Sequence, residues 1–186
     1  MSILKGRALL CLVLACLLLS GVSATAEPLP VAIAESLPAA ELRGTATARW
    51  FGIALYDAAL WMDRAMPAGA EDYSIPFLLR LRFARSFSGR AIADASRAEI
   101  ASLHAPAPEQ LAQWHARMLA ACPDVEAGTE LAGMHIPGVG MRLFYNGVVR
   151  ADLPGDDFSR AFFGIWLDRR TRYAGVRAQL LATGAP

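Results

Sequence analysis

Lysine is almost missing from this chain. Lys5 is the only one, and the other basic residues are arginines interleaved with acids. There is no basic run or stripe, so the electrostatic footprint of a nucleic-acid binder is absent and no nucleic-acid partner is expected. Histidine is scarce too. His104, His115 and His135 lie far apart and share neither H-x-H nor H-E-x-x-H spacing, which argues against a metal site. No G-x-S-x-G elbow occurs, so an α/β-hydrolase is unsupported. Gly138-Val139-Gly140 is a lone G-x-G behind a proline and reads as a turn before a strand, not a phosphate loop. No cofactor is expected from these motifs. Internal repeats and low-complexity segments are also missing.

Long apolar runs are limited to one. Ala8 to Ser20 is unbroken and leucine-rich, but shorter than the about 20 residues that span a bilayer. Lys5 and Arg7 precede it, and Ala24-Thr25-Ala26 follows it. A positive flank, a short apolar run and an A-x-A ending predict a secretory signal over residues 1–26, cut after Ala26. Cys16, after Leu14-Ala15, is a weak lipoprotein candidate, because the apolar run continues through Leu19. The expectation is a periplasmic or secreted protein without a stable membrane span. Cleavage would remove Cys11 and Cys16, leaving Cys122 with no internal disulfide partner in an oxidising compartment. Cys122 then reads as a small buried hydrophobe. The formal charge would move from +1 to about −1.

The rest fits a single domain on length. Residues 27–40 read as a proline-bearing extended leader and 41–186 as the domain. Thr45, Thr47, Trp50, Phe51, Ile53, Leu55, Tyr56 and Trp61 give strand composition, predicting strands over 41–49 and 52–62. Residues 63–74 read as a loop. In the third predicted strand, 75–83, Phe77, Leu79, Leu81 and Phe83 share one face, and Arg80 and Arg82 the other. Helices are predicted over 88–103 and 109–122 from three-to-four apolar spacing, bounded by Pro106, Pro108 and Pro123. Strands return at 129–136, 141–145 and 148–153. Asn146-Gly147 between the last two is a strong hairpin signal. Helices at 156–167, capped by Asp156 or Asp157, and at 173–181 complete an α+β order with an antiparallel sheet.

Arginine in otherwise apolar strand text is the candidate functional signal. Arg43, Arg49, Arg80 and Arg82 could simply face solvent. They could also offer a guanidinium fork to a carboxylate at the end of an apolar cleft.

Three segments carry a resemblance: Leu42-Arg43-Gly44, Trp50-Phe51-Gly52-Ile53-Ala54-Leu55-Tyr56-Asp57-Ala58-Ala59-Leu60-Trp61, and Phe162-Phe163-Gly164-Ile165-Trp166-Leu167-Asp168. Together they resemble the bacterial secreted branch of the chalcone isomerase-like proteins, from about Glu41 to Leu181. The resemblance implies an open-faced β-sandwich: an antiparallel sheet with helices packed on one face. It also implies catalytic positions, an Arg, a Thr, a Tyr and an Asn. Here these are Arg43, Phe51, Ile92 and Glu99, so three of the four depart. An isomerase or lyase with altered residues is the alternative reading. The non-catalytic branch of the family binds fatty acids through an Arg and, thirteen residues later, a Tyr; Arg43 and Tyr56 have that separation. The resemblance therefore implies ligand contact by Arg43 and Tyr56 with a fatty acid or similar apolar acid, provided the two stand opposite across a hairpin turning near Arg49-Trp50.

Overall fold

The structure is a computed structural model that describes residues 29, 31–34, 37–63 and 73–182. The expected signal segment and most of the 63–74 loop lie outside the described residues.

Six strands form one antiparallel sheet in sequence order: β1 (Ala40–Trp50), β2 (Ile53–Asp63), β3 (Phe77–Phe83), β4 (Glu130–Ile136), β5 (Gly140–Tyr145) and β6 (Val148–Pro154). A short helix, α1 (Val31–Ala34), precedes them. Helices α2 (Gly89–His104) and α3 (Pro108–Ala121) follow β3, and α4 (Asp156–Leu167) and α5 (Ala174–Leu180) follow β6. The open-faced α+β sandwich is the observed architecture, with α2–α5 over one face.

Local chemistry explains most boundaries. The Ser88 side chain accepts the Ala91 N–H and starts α2, and Pro108 starts α3 at a position needing no donor. Asn146 and Gly147 take φ of 48° and 79°, as the β5–β6 hairpin requires. Two expectations need correction. Gly155, not an aspartate, is the N-cap residue of α4. Asp156 instead accepts the Gly138 N–H at 3.0 Å and binds Arg160 one turn on. Within the leader, residues 31–34 are helical and not extended, because Ile33 and Leu37 bury themselves on the open face of the sheet.

The main core lies between the sheet and the helices, where Leu60, Phe77, Ile100, Phe158 and Phe163 are fully enclosed. Each such side chain contributes about 1.5–3 kcal/mol by leaving water. A second cluster on the other face joins Trp61, Leu78, Met134 and Phe144 to Ile33 and Leu37. Two glycines of the family-like segments permit close packing. A Cβ on Gly44 would stand 2.2 Å from the Gln179 carbonyl oxygen at the end of α5. One on Gly164 would stand 2.7 Å from Nε2 of His104.

Candidate functional site

Between the sheet and the helices the core is incomplete. A cavity of about 420 Å³ opens there, walled by strands β1–β5 and by α2, α4 and the approach to α5. Leu79, Leu81, Phe83, Leu131, Phe162 and Ile165 make its wall apolar. Arg49, Trp50, Ala91 and Ala95 are exposed lining residues and mark the mouth.

A few polar groups interrupt that wall. The Tyr56 hydroxyl accepts the Trp166 indole N–H at 2.9 Å. Its own proton has no acceptor among the described residues. Burial, the largest cause, pushes the Tyr56 pKa up to about 12, so the phenol is a neutral donor. Tyr173 donates to Glu99 at 2.9 Å, and Arg172 forms an ion pair with Glu99 and a 3.0 Å hydrogen bond to the Tyr173 hydroxyl. Burial also raises Tyr173. Arg172 is therefore neutralised by its neighbour. Arg49 donates to the Gly52 carbonyl at 3.2 Å, a neutral partner, and keeps its charge at the mouth. Cys122 lines the wall with its thiol pushed up to about 11 by burial, as suits a packing residue.

Arg43 and Tyr56 do not stand opposite each other. The hairpin turns at Phe51-Gly52, with Trp50 paired to Ile53 and Tyr56 paired to Ala48. Leu42 pairs with Trp61 and Gly44 with Leu60, so Arg43 sits in a bulge, level with the far end of β2. Tyr56 is four residues from Leu60 along β2, about 13 Å at strand spacing. Tyr56 lines the cavity and Arg43 does not. Arg43 is 7% exposed, and its Nε and Nη2 have no hydrogen-bond partner among the described residues.

A second irregularity shapes the mouth. Ala48 pairs with Tyr56 but Arg49 with Ala54, leaving Leu55 unmatched. Leu55 and Tyr56 consequently both face the cavity, and Arg49 joins them at its rim. Arg49 had a sequence signal, as a strand arginine, but nothing local distinguished it from Arg43. Of the positions implied for catalysis, Ile92 and Glu99 line the cavity, whereas Phe51 projects from the hairpin tip. Arg80 and Arg82 lie on the opposite face: Arg80 stacks over Trp61 at 4.8 Å and reaches Glu130 at 3.6 Å.

Among the described residues no cluster of three or more His, Cys, Asp or Glu could hold a metal ion. No described helix is long and apolar enough to cross a membrane.

An antiparallel sheet, helices on one face and an apolar cavity between them define an open-faced α+β sandwich built around an internal space. The chain belongs to the chalcone isomerase-like family, whose sequence profile matches residues 31–182. Among solved structures it is similar to a fatty-acid binding protein of Arabidopsis thaliana, with a TM-score of 0.58 and 11% identity, over 77% of this chain and 87% of that one. At that identity the likeness establishes the fold. No curated protein matches the sequence.

Proposed function

We propose that this protein is an exported, non-catalytic member of its family that binds a fatty acid or a similar apolar acid in the cavity between sheet and helices. The observation that carries the reading is a long apolar wall together with the Tyr56 hydroxyl proton and the Arg49 guanidinium, neither of which has an acidic partner among the described residues. A carboxylate leaving water needs replacement donors. Tyr56 supplies a hydroxyl and Arg49 a charged fork. The tail would lie against Leu79, Leu131 and Phe162. Of the pair implied by the resemblance, Tyr56 stays at the head group and Arg49 takes the guanidinium's part in place of Arg43; Arg43→Ala tells the two arginines apart. The Arabidopsis protein's fatty-acid binding is in keeping with this assignment. Export rests on the Ala24-Thr25-Ala26 ending, and N-terminal sequencing of the mature chain should return Glu27.

Titration with a fluorescent fatty acid, with native mass spectrometry of the purified protein for a retained acid, tests the proposal. Saturable binding is expected; none in wild type would end it. The Glu99–Tyr173–Arg172 cluster on the wall is the feature that favours an isomerase or lyase instead. Turnover of a chalcone, abolished by Glu99→Gln, would select that second reading.

A further inference from the structure

The β1–β2 hairpin turns on an unsuitable residue. Phe51 has φ 46° and Gly52 φ 79°, both in the left-handed region. Glycine tolerates this, but a phenylalanine Cβ crowds the following carbonyl oxygen. The β5–β6 hairpin adopts similar angles with Asn146, a residue that fits. Packing does not hold Phe51 in place either. It is 87% exposed, Trp50 is 65% and Ile53 is 47% exposed. The two aromatic rings meet edge to face, 4.9 Å between centroids. A strained turn thus presents a braced aromatic pair to solvent.

That end of the sheet carries a second apolar tip. β3 finishes there, Phe83 opposite Tyr56, and β5 and β6 turn there. Val148 and Val149, at the start of β6, are 70% and 50% exposed. Four strand spacings, roughly 19 Å, separate β6 from β2. Positive charge flanks the aromatic tip. Arg49 is exposed beside it, and exposed Arg85 follows Ala84, whose N–H donates to the Leu55 carbonyl. The first acid along β2 is Asp57, five residues past Gly52 and about 16 Å away at strand spacing. Glu126 and Glu130 lie by the start of β4, two strands over, with Glu130 beside Arg80. Trp50 and Arg49 are also part of the cavity mouth.

We propose that this end of the sheet docks on the surface of an anionic phospholipid bilayer. Trp50 and Phe51 enter the interfacial layer, where amphipathic aromatic rings are favoured. Arg49 and Arg85 meet lipid phosphates, which suit a guanidinium fork. Two cations and one aromatic wedge give reversible attachment, not insertion. The mouth then opens at the bilayer, and an apolar acid passes between membrane and cavity without crossing water. That purpose rests on the acid-binding reading; the docking does not.

Trp50 makes the test direct, because Trp61, Trp114 and Trp166 are at most 8% exposed. The chain from Glu27 onward, which contains every described element and lacks the apolar N-terminal run, is mixed with vesicles of phosphatidylcholine alone or with phosphatidylglycerol. Expected are a blue shift and quenching by brominated lipid with the anionic vesicles, both weakened by salt. Phe51→Asn keeps the cavity wall and suits the turn. It should raise Tm, leave fatty-acid affinity in vesicle-free buffer within about twofold, and lower vesicle partition about tenfold. Failure to partition onto either vesicle overturns the proposal, as does equal partition of Phe51→Asn. A stable dimer in buffer that Phe51→Asn dissociates overturns it as well, assigning the tip to a second copy. Vesicle binding without acid binding upholds the docking and removes only the cavity reading.

Discussion

The Tyr56 hydroxyl accepts the Trp166 indole N–H at 2.9 Å, tying β2 to α4 across 110 residues of sequence at the cavity wall. The bond uses one lone pair of the hydroxyl, whose proton has no acceptor among the described residues. It also satisfies an indole that is almost wholly buried. One residue therefore serves the fold and the site.

Tyr56→Phe separates those duties. The ring remains, so acid binding should weaken by only about 1 kcal/mol, roughly fivefold. The Trp166 N–H loses its acceptor, and stability should drop by about 1–3 kcal/mol. Fluorescent fatty-acid titration and urea unfolding measure the two effects. Unchanged stability would mean that water replaces the hydroxyl.

The two arginines of β1 should behave differently. Arg49→Ala removes a charge-assisted donor at the mouth and should weaken acid binding about ten- to a hundredfold, with stability nearly unchanged. Arg43 is buried in its bulge, and its Nε and Nη2 have no hydrogen-bond partner among the described residues. Arg43→Met keeps the apolar stem and removes a desolvated charge, so it should be at least as stable as wild type. Arg43→Ala should leave the affinity within about twofold. A large loss of affinity in Arg43→Ala, with Arg49→Ala silent, would restore Arg43 as the head-group ligand.

Phe51→Asn should stabilise the fold by about 1–2 kcal/mol, because asparagine accepts the left-handed backbone that phenylalanine resists. Urea unfolding at constant m-value tests this. A decrease would show that the Trp50–Phe51 ring contact outweighs the turn strain.

Mild acid should destabilise the protein through His135. Its Nε2 donates to the Tyr73 carbonyl at 2.9 Å, so Nδ1 is left to accept the Ser159 hydroxyl at 2.7 Å. The ring also stacks on Phe77. Protonation would reverse the serine bond, making the hydroxyl the acceptor, and place a charge in the core. Burial is the main cause lowering the His135 pKa; the Tyr73 carbonyl and Asp156 act against it, and Arg160 adds to it. His104 is lowered by burial as well. A histidine lowered in the folded state binds protons more readily when unfolded. Its stabilising effect is complete above the unfolded pKa of 6.5 and is lost as pH falls toward the folded value. Unfolding free energy should decline below pH 6.5 by at most about 1.4 kcal/mol per pH unit per histidine. His135→Asn should flatten part of that slope, and an unaltered slope would remove His135 from the account.

The sequence by itself determined the order of elements and most of their limits. Strand alternation over Phe77–Phe83, the Asn146-Gly147 turn and the prolines bounding α2 and α3 act over a few residues, and local rules sufficed for them. Tyr56 as a cavity residue was also legible, through the family-like segment around it. Tertiary structure alone decided which arginine reaches the cavity. Leu42 faces the second cluster while Gly44 faces the helices, although both hold even positions in one strand. The bulge that reverses the alternation at Arg43 turns Gly44 toward residues 179 and 180 at the end of α5, where a Cβ would not fit. The bulge at Leu55 likewise depends on how β1 meets β2 and sets Arg49 at the mouth. Bulges belong to pairs of strands and to what packs on them, so a periodicity read along one strand cannot place them.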